Sequence, residues 1–112
     1  MPVKVSVDHP KENISRIVLD GRLDVAGAQA AEAEFNAAVA ASQNVIVDLG
    51  KVPFIASLGI RLLVAGAQAS TKQGGKMVLM RPDDLSRRIL KTTGIDQLIP
   101  ICNGLDDALA AF

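Results

Sequence analysis

Residues Val45 to Ala69 constrain the fold more than any other stretch, because the spacing of the apolar residues changes inside them. Val45, Ile46 and Val47 are β-branched and run on to Leu49, which suits a strand covered on both faces in the middle of a sheet. Gly50 and Pro53 end it. From Leu58 onward the spacing is helical: Leu58, Leu62, Ala65 and Ala69 fall on one side, with Leu63 and Gly66 beside them. Ser57 stands just before that run, where its hydroxyl is predicted to cap an unpaired amide of the first helical turn. A buried strand leading directly into a helix is the unit of an α/β fold.

The flanking segments extend the same plan. Val3, Val5 and Val7 alternate with Lys4, Ser6 and Asp8, the period of a strand buried on one face. His9 to Asn13 reads as a turn, and Ile14, Ile17, Val18 and Leu19 as a second strand paired antiparallel with the first. Gly21 suits the point where the chain leaves the sheet, and Asp24 suits the cap of a helix over Val25 to Ala41, with Phe35 and Val39 facing the core. The helix after Ser57 is predicted to run to about Lys72, stopped by Gly74-Gly75, and Lys76 to Met80 forms a third interior strand. Asp83 caps a further helix, with Leu85, Ile89 and Thr92 on one face; Leu98 to Ile101 is a short edge segment limited by Pro100. A last helix spans Gly104 to Phe112, capped by Asn103 or Asp106 and docked through Leu105, Leu109 and Phe112.

The 112 residues are read as one domain that buries roughly 65% of its extended surface on folding. With three Phe and no Trp or Tyr, the core must be built mainly from Ala, Val, Leu and Ile. Twelve basic and twelve acidic side chains cancel, which argues against the positive field that nucleic acid requires. No apolar run reaches the ~20 residues of a membrane helix, and the start of the chain lacks a signal-peptide pattern, so a cytoplasmic location is expected. Cys102 is the only cysteine and is read as buried and inert. His9, the only histidine, is read as a solvated turn residue.

No catalytic constellation emerges. Gly74-Gly75-Lys76 is followed by Met77 and precedes a strand, so it is not a phosphate-binding loop, and Gly-x-Ser-x-Gly is absent. The pairs Asp83-Asp84 and Asp106-Asp107 stand at helix starts, where capping accounts for them. Arg87, Arg88 and Lys91 read as a solvated face. No Cys, His and acid cluster calls for a metal or cofactor.

Phe54-Ile55-Ala56-Ser57-Leu58-Gly59-Ile60 resembles the phosphorylation loop of the STAS domains of bacterial anti-sigma-factor antagonists, Asp-Ser-[Ser/Thr]-Gly-[Leu/Ile] after a buried strand. Ala56 stands where that pattern has aspartate, and Leu58 where it has a second hydroxyl. Leu19 to Asp24 similarly resembles the Leu-x-Gly-x-Leu-Asp segment opening the first crossover of the family, on which Gly21 and Asp24 fall. The resemblance covers essentially the whole chain and implies a STAS-like single α/β domain over residues 1–112, with a mixed central sheet of four to five strands and helices packed against it.

The resemblance also implies a non-enzymatic regulator acting by partner switching. It would bind an anti-sigma factor that is also a serine kinase, be released by phosphorylation of Ser57, and be reset by a phosphatase. Phe54, Ile55, Ala56, Leu58, Gly59 and Arg61 are the expected docking surface, Gly59 giving the partner access to the backbone and Arg61 helping to hold the phosphate. The alternative is a STAS-like accessory subunit of a membrane transporter ATPase, never phosphorylated. An enzyme with Ser57 as nucleophile ranks last.

Overall fold

The computed structural model describes residues 3–112. Its five strands lie in the order β1 (Lys4–Lys11), β2 (Ile14–Asp20), β3 (Asn44–Lys51), β4 (Met77–Met80) and β5 (Ile101–Cys102). Only the hairpin β1 and β2 is antiparallel; β2, β3, β4 and β5 pair in parallel. Each parallel step needs a crossover, supplied by α1 (Val25–Ala40), α2 (Ser57–Lys72) and α3 (Asp84–Thr92), the last followed by a 3₁₀ turn at Ile95–Gln97. A final helix, α4, spans Leu105–Ala110. This is the mixed sheet with packed helices that the sequence predicts.

The sheet separates two apolar clusters. On one face Ile17, Leu19, Val45, Val47, Leu49 and Leu79 meet Phe35 and Val39 of α1, Leu62 and Leu63 of α2 and Leu90 of α3. On the other, Ile14, Ile46, Val78 and Met80 meet Ala108, Leu105 and Leu109 of α4, with Cys102 of β5 and Ala111 packed against them. The side chains of β3 from Val45 to Leu49 are therefore buried on both faces, as a central parallel strand requires.

Local details depart from the sequence reading where packing overrides apolar pattern. The residues His9 to Lys11, expected in the turn, extend β1, leaving only Glu12 and Asn13 to reverse the chain. The buried stripe of α2 is Gly59, Leu62, Leu63, Gly66 and Ser70, while Ala65 on the expected face is exposed. Glycine decides this, because only a residue without Cβ lets the helix axis come so close. A Cβ at Gly66 would lie 2.8 Å from the Phe35 ring.

In α3 the buried residues are Ser86 and Leu90, and Leu85 is 50% exposed. Ser86 is admitted to the interior because its hydroxyl donates to the Val52 carbonyl at 3.2 Å. The edge segment is shorter than expected: Leu98 is 68% exposed and pairing begins only at Ile101. Neither Asn103 nor Asp106 caps α4, which starts from Gly104 without a side-chain bond; Asn103 accepts from Arg87 instead. Phe112 stays on the surface.

Candidate functional site

The loops leaving β2 and β3 are joined into one platform at the C-terminal edge of the sheet. Gly21 donates its amide to the Lys51 carbonyl at 3.1 Å, Leu23 donates to Phe54 at 2.8 Å, and Ala56 donates back to Leu23 at 2.8 Å. Leu23 and Ile55 thereby form a parallel bridge beyond the named strands. Gly21 makes the turn into this bridge at φ 137°, a region costly for residues with a Cβ. Asp24 closes the platform as the cap of α1, its carboxylate accepting from the Gly27 amide at 2.7 Å. The Arg22 guanidinium lies 4.7 Å from the centre of the Phe54 ring and 3.8 Å from Asp24.

Ser57 stands where these loops meet α2. It is not the cap: Ala56 holds that position with extended backbone, and no side-chain bond closes the helix end. Ser57 is instead the first helical residue, and it is exposed. The cap falls one residue before the expected Ser57, because the backbone already turns helical at Ser57 and the preceding Ala56 has no side-chain acceptor. Its hydroxyl stands beside the unpaired amides and positive dipole of the helix start. Arg61 follows about one turn later on the same side and is exposed.

The other expected docking residues divide. Phe54, Ala56 and Leu58 are half-buried and reach the surface. Ile55 is only 2% exposed and belongs to the core. Gly59 is buried too: a Cβ there would come within 2.9 Å of the Leu23 Cβ and carbonyl oxygen. The absent side chain makes room for Leu23 inside the domain, so Gly59 gives no partner access to backbone.

A further residue, not singled out by the sequence pattern, positions the platform. Asp48, near the end of β3, is 3% exposed. It accepts from Arg81 at 2.8 Å and from the Gly50 amide at 2.9 Å, fixing the point where the chain leaves the sheet towards Ser57. Arg81 takes the left-handed φ of 54° to make that contact. A lone carboxylate inside the apolar run Val45 to Leu49 was the available signal. Cys102 is half-buried, and burial, followed by the nearby charge of Asp107, pushes its thiol pKa up, away from reactivity. His9 is exposed on β1 with Nδ1 3.1 Å from the Ser15 hydroxyl.

Among the described residues no group of three or more His, Cys, Asp and Glu could hold a metal ion, and no helix is long and apolar enough to cross a membrane.

A mixed sheet with its parallel crossovers on one face and a serine opening the helix after the central strand is the architecture of a STAS domain. The sequence matches the STAS domain family over residues 8–108, and the chain belongs to that family. BtrV of Bordetella bronchiseptica, named as a candidate anti-sigma factor antagonist, is 30% identical over 95 residues, which are 84% of this chain and 82% of BtrV. The crystal structure of an anti-sigma factor antagonist from Mycobacterium paratuberculosis is 29% identical with a TM-score of 0.86, covering 97% of this chain and 92% of that one. The Bacillus antagonist SpoIIAA shares the fold at 18% identity and a TM-score of 0.78 in its unphosphorylated form, over 95% of this chain and 93% of its own. SpoIIAA has also been solved phosphorylated.

Proposed function

We propose that this protein is an anti-sigma factor antagonist that works by partner switching, with Ser57 as the phosphorylated residue. The observation that carries the reading is the exposed Ser57 side chain at the first position of α2, on a platform built from both neighbouring crossover loops. Unphosphorylated, the platform binds an anti-sigma factor that is also a serine kinase, and the sigma factor is released. The surface used is Phe54, Ala56, Ser57, Leu58 and Arg61, all exposed or half-buried. The chain itself performs no chemistry in this scheme; it supplies the hydroxyl that the kinase modifies.

Phosphorylation adds ~1.5 to 2 negative charges to a surface that has been desolvated against the partner. The helix start and Arg61 hold the phosphate within this chain, so the partner faces a new charge with no complement of its own. The complex separates, and a phosphatase restores the binding form. Support comes from the family, from antagonist relatives near 30% identity and from the exposure of Ser57.

Incubation with the cognate anti-sigma factor and ATP, followed by intact mass, tests the scheme. One added phosphate is expected on the wild type and none on Ser57→Ala. Phosphate persisting on Ser57→Ala, or wild type that neither binds nor is modified, would overturn it.

A further inference from the structure

Beside the Ser57 platform, α1 and α2 run in the same direction and leave a groove of about 400 Å³ between them. Ala28, Leu58, Leu62 and Ala65 give it a narrow apolar floor, and the rest of its lining is polar, with Gln29 and Asn36 beside the charged side chains. Arg61 stands on its α2 wall and Glu32 on its α1 wall. Both are exposed, and neither has an ion-pair partner among the described residues, where the three salt bridges are Arg16 with Asp8, Arg22 with Asp24 and Arg81 with Asp48. Arg61 is about one turn into its helix and Glu32 about two turns into its own, so the two charges are staggered by ~5 Å along the groove.

We infer that this groove receives a helix of the anti-sigma factor, carrying an apolar residue between an acidic residue that meets Arg61 and a basic residue that meets Glu32. The inference rests on the proposed function and names the part of the partner that the platform alone does not select. Small residues at Ala28 and Ala65 let a third helix approach closely, which is how one helix is seated between two others. The opposite charges on the two walls fix the direction in which that helix lies, because reversing it would set like charges together at both ends.

The arrangement is continuous with the switch. Leu58 belongs both to the groove floor and to the turn that Ser57 opens, and Arg61 is both the groove's cation and the cation that α2 carries four residues after Ser57. A phosphate on Ser57 therefore competes with the partner's carboxylate for Arg61. Release then has a second cause besides repulsion, namely loss of the charge that oriented the docked helix.

The test measures binding of the purified cognate anti-sigma factor by calorimetry to wild type, Ser57→Asp, Arg61→Glu, Glu32→Lys and Ala65→Trp, with melting curves for each. Ala65, Glu32 and Arg61 are exposed, so folding is expected to be retained; the three variants act independently, and any one that melts early is set aside in favour of the others. The expected result is a tenfold or greater loss of affinity for Arg61→Glu and Ala65→Trp, a smaller loss for Glu32→Lys, and amide-exchange protection of residues 28–36 in the wild-type complex. Wild-type affinity in the groove variants, with Ser57→Asp still abolishing binding, would overturn the groove and leave the switch standing. No binding by the wild type itself would overturn both.

Discussion

Gly59 and Leu23 are in direct apposition: a Cβ built on Gly59 would lie 2.9 Å from both the Cβ and the carbonyl oxygen of Leu23. The same carbonyl accepts the Ala56 amide, so the start of α2 is fixed against the β2 loop by a hydrogen bond and by a missing side chain at once. Gly59→Ala should improve helix propensity by about 1 kcal/mol yet lower stability overall by ~1–3 kcal/mol through overpacking. Urea denaturation checks the sign; a more stable variant would mean that Leu23 can move aside.

The helix caps predict a contrast between residues that look alike in the sequence. Asp24 and Asp83 each accept a backbone amide at the start of their helices, whereas Ser57 makes no cap bond. Replacing either aspartate by alanine should cost ~1 kcal/mol, and Ser57→Ala should stay within about 0.5 kcal/mol of wild type. Paired melting curves decide it. A large loss for Ser57→Ala would return the hydroxyl to a structural role.

Arg81 combines an ion pair to buried Asp48 with a left-handed backbone. Arg81→Ala removes the pair and keeps the strain; Arg81→Gly removes both. Because the Arg81 side chain is 54% exposed, solvent moderates the loss, and Arg81→Ala should cost ~1–2 kcal/mol. Arg81→Gly should be the more stable of the two by about 1 kcal/mol. Equal stabilities would show that the strain is relieved elsewhere.

Ser70 is fully buried on α2, and its hydroxyl has no hydrogen-bond partner among the described residues. Ser70→Ala removes an unsatisfied polar atom and improves helix propensity, so a gain of about 1 kcal/mol is expected. Thermal unfolding measures it, and a destabilised variant would reveal a partner for that hydroxyl.

These contrasts mark how far the sequence carries. The order of strands and helices was legible, because β3, β4 and the parts of α1 that carry Phe35 and Val39 are specified by local period and by punctuation at Gly21, Gly74, Pro82 and Gly94. The position of Ser57 at the mouth of a helix was legible too. The buried faces of α2 and α3 were not, because a glycine that meets Leu23 and a serine bonded to Val52 carry no apolar signal of their own.

By itself, the chain of amino acids determined the alternation of elements, the two aspartate caps and the exposed hydroxyl after the central strand, all of which follow from interactions within a few residues. Tertiary structure alone decided that Ile55 and Gly59 face inward, that Asp48 finds Arg81, and that Arg61 and Glu32 share one groove. Those outcomes depend on which segments meet across the sheet, and residues far apart in sequence acquire their neighbours only when the crossovers have packed.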